Sequence, residues 1–177
     1  MMELIVVTGG VRSGKSRWAQ NEALARGGEA VTVIATAEAV DDEMRDRIDA
    51  HKRNRPAGWR TIEAPEGVHA AILAAETDTV VLDCVTVLTG MAIGRAGAAN
   101  EADALDAMAA EVDGILEARE KRNGVLIVVT NEVGWSVHPP TAVGRWYQDG
   151  LGIANQRLAA AADEVVLMVS GLEMRLK

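Results

Sequence analysis

The octapeptide GGVRSGKS, Gly9 to Ser16, limits what this chain can fold into more tightly than any other stretch. It satisfies G-x-x-x-x-G-K-[ST] at every fixed position, follows the apolar run LIVVT and opens a helical pattern. Where a strand stops at glycine and the chain restarts as a helix, consecutive backbone N–H groups turn outward. Together with the positive end of the helix dipole they form a cradle for phosphate oxygens. Gly9, Gly10, Val11, Arg12, Ser13 and Gly14 supply the turn, Lys15 reaches the β and γ phosphates of a nucleotide, and Ser16 offers a hydroxyl to Mg²⁺. The motif therefore demands a strand, a loop at its C-terminal end and a helix packed back against the sheet.

The rest of the chain repeats that alternation. Short apolar runs predict strands over Leu4 to Thr8, Ala30 to Thr36, Thr79 to Asp83, Val125 to Thr130 and Val165 to Ser170. Helical patterns occupy Lys15 to Arg26, Asp42 to Asn54, Val68 to Ala75, Asp103 to Arg122 and Thr141 to Ala162. Strands without a polar face, each followed by a helix, imply a three-layer α/β domain of P-loop NTPase type with a mostly parallel central sheet. The tail GLEMRLK alternates apolar and polar residues, which suits a short antiparallel edge strand. At 177 residues, one domain spanning 1–177 is expected, with Gly94 to Asp103 its most loop-like segment.

Charge and composition narrow the function. A net charge of −8 argues against a broad nucleic-acid surface, so a polyanion must meet a local basic site. The single cysteine, Cys84, cannot close an intrachain disulfide, and MMELIVVTGG lacks a basic leader and a long apolar core. No apolar run approaches the roughly 20 residues that cross a bilayer. A cytoplasmic protein without membrane insertion is the expectation.

A nucleotide site needs a second acid, and TVVLD delivers Asp83 at a strand end, where open α/β sheets place their ligands. An acid capping the next helix would read the same. The Asn-Lys-x-Asp signature of guanine-reading switches is missing, and the comparable strand ends in TNEVG. His51 stands before Lys52, Arg53 and Arg55, and with Met44 and Ile48 it continues one stripe of its helix, facing inward. Cationic neighbours disfavour an imidazolium and leave a ring nitrogen free to attack, whereas a core histidine would share the same spacing.

GGVRSGKS, IATAEAVDDEMRDRIDAHKRNRPAGWRTIE, LDCVT, VTNEVG and NQRLAAAADEVVLMVSGL together resemble the bifunctional adenosylcobinamide kinase/adenosylcobinamide-phosphate guanylyltransferases of cobalamin biosynthesis, over nearly the whole chain. The resemblance implies two reactions. ATP or GTP phosphorylates the aminopropanol hydroxyl of adenosylcobinamide, and GMP from GTP then passes through a guanylyl-histidine to give adenosylcobinamide-GDP. It implies that His51 carries the GMP and that nucleotide contacts come from Ala35, Thr36, Ala37, Lys52, Arg53, Asn54, Arg55, Glu63 and Asp83, with Ser16 and Asp83 toward Mg²⁺. It also implies a homotrimer whose corrinoid substrate is reached between subunits. Gly90 stands where the family commonly has Asn, and Pro140 where an acid is usual. Two other readings fit the motif alone: a single-activity small-molecule kinase with a structural His51, and a nucleotide-dependent binding module.

Overall fold

The computed structural model describes residues 1–39, 41–53 and 55–177, with Glu43 and Arg47 described by backbone only. The apolar run after the start becomes β1 (Glu3–Gly9), and the phosphate loop feeds α1 (Lys15–Gly27). There follow β2 (Val31–Ala35), α2 (Asp42–Arg53), β3 (Arg60–Glu63), α3 (Val68–Ala74), β4 (Thr79–Asp83), α4 (Val85–Ala96) and α5 (Glu101–Lys121). The chain continues with β5 (Val125–Val129), α6 (Ala142–Ala161), β6 (Glu164–Val169) and β7 (Leu172–Arg175). One seven-stranded sheet takes the order β3-β2-β4-β5-β1-β6-β7. All pairings are parallel except β6 with β7, the edge hairpin expected from the alternating tail. Its two turn residues, Ser170 and Gly171, have φ of 52° and 83°, the positive values that match a tight turn to strand twist.

Strand alternation splits the apolar residues between two cores. Leu4, Val6, Val80, Leu82, Leu126 and Val128 face α3, α4, α5 and α6, while Ile5, Val7, Val33, Val81, Ile127 and Val129 face α1 and Trp59. This gives the three layers. Trp59 anchors the second core and donates its Nε1–H to the Gly28 carbonyl at 3.0 Å.

Two elements were not expected from the sequence. Strand β3 has one apolar residue in RTIE and is largely exposed at the sheet edge, so it carries no burial pattern. Helix α4, VTVLTGMAIGRA, is apolar almost throughout and carries two glycines and five β-branched residues, which hides a helical period. The loop expected from Gly94 starts later, because Gly97 caps α4 in the left-handed region. Helix α5 starts before the expected Asp103, because the Asn100 side chain accepts the Asp103 N–H at 3.1 Å.

Arg119 ties the helical layer to the start of the sheet. Its buried guanidinium donates to the carbonyls of Met2 (3.0 Å) and Ala161 (2.9 Å) and to Asp163 Oδ2 (2.7 Å), which also accepts the Leu4 N–H at 2.8 Å. Arg119→Ala should lower unfolding free energy by roughly 2–4 kcal/mol in a urea titration, because it strands buried acceptors. The Leu4 N–H, reinforced by Arg119, holds the Asp163 carboxyl below its ordinary value. That contribution is complete above the usual carboxylate pKa of about 4 and is lost as pH falls through the lower folded value. The gap in thermal midpoint between wild type and Asp163→Asn should therefore be widest above about pH 5 and narrow on acidification.

Candidate active site

At the C-terminal ends of the strands lies a cavity of about 950 Å³. Its floor is the phosphate loop. Gly9 turns the chain at φ 140°, and a Cβ there would lie 2.3 Å from the Met168 carbonyl oxygen, so only glycine fits. Gly14, at φ 106°, is the N-cap of α1 and uses no side chain, which leaves the helix terminus open toward the cavity. Lys15 Nζ donates to the carbonyls of Gly9 (2.8 Å) and Gly10 (2.6 Å). The ammonium thus rests along the loop it serves.

The opposite wall comes from β2, β3, β4 and α2. Asp41 accepts the Met44 N–H at 2.7 Å and steadies the first turn of α2, which presents Met44, Ile48, His51 and Lys52 to the cavity. The stripe expected to point into the core therefore borders the cavity instead, and the His51 side chain is 48% exposed. Its Nδ1 lies 3.7 Å from Asp83 Oδ2, and Arg55 Nη2 lies 3.9 Å from the same oxygen. Among the described residues, the charged group that faces the ring is thus a carboxylate. Lys52 bonds Glu63 Oε1 at 2.5 Å, holding the end of β3 against α2. Asp83 does not cap α4, whose N-cap position is Cys84 without a side-chain bond.

Of the expected contacts, Val11, Arg12, Ser13, Gly14, Lys15, Ser16, Ala35, Ala37, Lys52, Arg55, Glu63 and Asp83 line the cavity with His51. Among the described residues, Gly9, Gly10, Thr36 and Arg53 stand off its wall. Asn54 lies outside the described residues. Thr36 is fully buried, and its hydroxyl donates to the Cys84 carbonyl at 2.8 Å and accepts the Cys84 N–H at 2.9 Å. It fixes the ends of β2 and β4 relative to each other. Arg17, Val87, Asn131, Ser170 and Gly171 also line the cavity and were not read from the sequence. TNEVG was visible as a strand terminus, but only the strand order brings Asn131 beside the phosphate loop.

Burial lowers the pKa of Lys15 and of Arg55, and Asp83 opposes both shifts. Contact with Lys52 draws the Glu63 carboxyl down. Burial, reinforced by Asp83, pushes the Cys84 thiol up to about 11, which suits a packing residue and not a nucleophile. The positive groups therefore gather on one cavity in a chain of net charge −8, with Asp83 and Glu63 set among them.

A phosphate cradle after one strand, facing an acid at the end of a strand two places away, defines a P-loop nucleotide-handling protein. The ATPase of a bacterial type III secretion system shares this fold, with a TM-score of 0.58 over 93% of this chain and 50% of that one at 9% identity. Residues 5–176 match the family model described as cobinamide kinase / cobinamide phosphate guanyltransferase. The bifunctional adenosylcobalamin biosynthesis protein of Salmonella typhimurium is 40% identical over 98% of this chain and 99% of its own length. Its counterpart in Escherichia coli matches at 40% over the same shares, and that of Pseudomonas aeruginosa at 39% over 97% and 96%. The chain belongs to the cobinamide kinase/guanyltransferase family.

A thiol with a pKa of about 11 is almost wholly protonated at pH 8. Iodoacetamide should therefore alkylate Cys84 in the native protein roughly a hundredfold more slowly than in the urea-unfolded chain, followed by intact mass.

Proposed function

We propose that this chain, as a single domain over 1–177, phosphorylates the aminopropanol hydroxyl of adenosylcobinamide with ATP or GTP. It then transfers GMP from GTP, through a guanylyl group on His51, to give adenosylcobinamide-GDP. The observation that carries this reading is the placement of His51 on the wall of the cavity that the phosphate cradle floors, 3.7 Å from Asp83. A core histidine would be enclosed, and this one is half exposed on the cavity wall.

In the kinase step the cradle and Lys15 hold the polyphosphate, and the substrate hydroxyl attacks the γ phosphorus in line. In the guanylyl step the target is the α phosphorus. Nδ1 of His51 faces the Asp83 carboxylate, so Nε2 is the nitrogen left to attack, while Asp83 steadies the ring as positive charge develops on it. Pyrophosphate leaves into the cradle, where Lys15, Arg12 and the N-terminus of α1 offset its charge. Dividing the transfer into two displacements lets the corrinoid phosphate enter after pyrophosphate has gone. Ser16 and Asp83 would hold Mg²⁺, and one hydroxyl with one carboxylate beside a phosphate cradle suits an ion that keeps several ligands from water and substrate. When bound, the ion neutralises phosphate charge.

The reading carries a homotrimer with it from the family resemblance. Trp135 and Val137, 75% and 90% exposed after β5, are available to a neighbouring subunit. No helix among the described residues is long and apolar enough to cross a membrane. Gly90 lies on α4, 3.8 Å from the Tyr147 ring by its virtual Cβ, so the departure from Asn falls on the α4–α6 contact. Pro140 lies in the loop before α6, where Arg145 reaches its carbonyl at 3.3 Å.

Incubation with α-labelled GTP and Mg²⁺ should leave acid-labile, alkali-stable label on His51, mapped by peptide mass. His51→Ala should abolish labelling and guanylyl transfer while corrinoid phosphorylation stays measurable. Label on another residue, or guanylyl transfer surviving the substitution, refutes the assignment. Asp83→Asn should shift the Mg²⁺ dependence of both reactions to higher concentration, with partial recovery at high Mg²⁺, and an unchanged metal titration would remove Asp83 from the metal site.

A further inference from the structure

The strand order sets β5 between β1, which carries the cradle, and β4, which carries Asp83. Whatever leaves the tip of β5 must therefore enter the gap between Lys15 and Asp83. The residue placed there is Asn131, which lines the cavity with both.

The main chain around Asn131 is fixed from four directions. Thr130 N–H donates to the Val7 carbonyl at 3.0 Å and Glu132 N–H to the Gly9 carbonyl at 3.2 Å, so the segment continues along β1 into the cradle. Asn131 N–H, between them, donates to Thr86 Oγ1 at 2.9 Å, at the first turn of α4. The Asn131 carbonyl accepts from Asn155 Nδ2 of α6 at 2.9 Å, and Asn155 Oδ1 accepts the Thr130 hydroxyl at 2.7 Å. The Gly9 carbonyl that receives Glu132 also receives Lys15 Nζ at 2.8 Å. The peptide of Asn131 is thus locked to the same atoms that position the cradle lysine.

Both backbone polar groups of Asn131 are used, whereas among the described residues its side-chain amide has no hydrogen-bond partner. A structural asparagine at a strand end normally spends its amide on nearby backbone. Here that task falls to Asn155, and the Asn131 amide is what the residue offers to the cavity. A neutral amide supplies a donor without adding charge to a site that already holds Lys15, Arg55 and Asp83, and supplies an acceptor at the same point.

We infer that Asn131 is a catalytic residue of the phosphoryl-transfer step, its Nδ2 donating to a γ-phosphoryl oxygen and its Oδ1 accepting from the incoming substrate hydroxyl. The inference rests on the kinase half of the function proposed above. In that step the substrate oxygen bonds the γ phosphorus as the bridging P–O bond breaks. The electron pair leaves on the nucleoside diphosphate, and the hydroxyl proton passes to an oxygen of the transferred phosphoryl. Asn131 neither gains nor loses a proton, and its fixed main chain means that little ordering is required when the charge redistributes.

The test compares wild type, Asn131→Ala and Asn131→Asp in full-length protein with Mg²⁺. The affinities measured are for GDP and for a GTP analogue with a β,γ-imido bridge, beside corrinoid phosphorylation and the thermal midpoint. For Asn131→Ala the preference for triphosphate over diphosphate should fall roughly tenfold or more, since one hydrogen bond to a charged oxygen is lost. The kcat of phosphorylation should fall on the order of a hundredfold, with the thermal midpoint nearly unchanged. Asn131→Asp keeps size and main chain but sets a carboxylate against phosphate, so it should reduce the preference further, and it carries the test if the alanine variant does not fold. A preserved preference in a folded variant overturns the inference. So does an equal loss of affinity for both nucleotides with a lowered midpoint, which is the mark of a structural role. If wild type binds both nucleotides but phosphorylates no corrinoid, the two-reaction reading fails and the catalytic assignment to that step falls with it, while the triphosphate preference still decides whether Asn131 meets the γ phosphate.

Discussion

The carbonyl oxygen of Gly9 accepts two donors, the Lys15 ammonium at 2.8 Å and the Glu132 N–H at 3.2 Å. The residue that owns it tolerates no side chain, because the main chain of β6 passes too closely. This crossing of β1, β5, β6 and the start of α1 is what the geometry of the site depends on. If the backbone at Gly9 moved outward, Lys15 would lose its seat and the β5 tip its register along β1. The Gly171 N–H, bonded to the Ser13 carbonyl at 2.9 Å, would lose its acceptor as well. A close-packed interior transmits such a shift instead of absorbing it.

Electrostatics at the cavity follow the same economy of position. Lys15 is matched by the Gly9 carbonyl beneath the cavity, and Lys52 and Arg55 by the carboxylates of Glu63 and Asp83 on its wall. These pairs hold long cationic side chains along the cavity where the proposed function sets the polyphosphate, at a cost in desolvation that the lowered pKa values of Lys15 and Arg55 express. Exposed pairs such as Lys52 with Glu63 contribute little to stability. Their value lies in keeping donors pre-aimed, so that an anion exchanges one partner for another without a large rearrangement.

The central architecture was legible because its strands are buried on both faces, and unbroken runs such as LIVV and VLIVV have few other uses. The cradle was legible because its spacing is dictated by atoms that approach phosphate. Strand β3 and helix α4 were hidden for opposite reasons, one too exposed to carry an apolar pattern and the other too uniformly apolar to show a period. His51 was legible as a candidate but not in its surroundings. The sequence places it among cations, and the fold sets Asp83 beside it from a strand more than thirty residues away. Asn131, Ser170 and Gly171 share one difficulty: each reaches the cavity through the order of strands in the sheet, a long-range property that local spacing does not encode.

Strand β1 has its partners far along the chain, Glu3 opposite Val125 and Ile5 opposite Glu164, and the cradle receives its last backbone bond from Gly171. During synthesis the phosphate loop therefore leaves the ribosome well before the strands and the turn that give it its shape. Until β5 and β6 arrive, the apolar run of β1 has no strand on either side, and pairings so distant in sequence form slowly. Over that interval the apolar run of β1 is open to other chains, and the cradle gains its Gly171 contact only once the turn between β6 and β7 is in place.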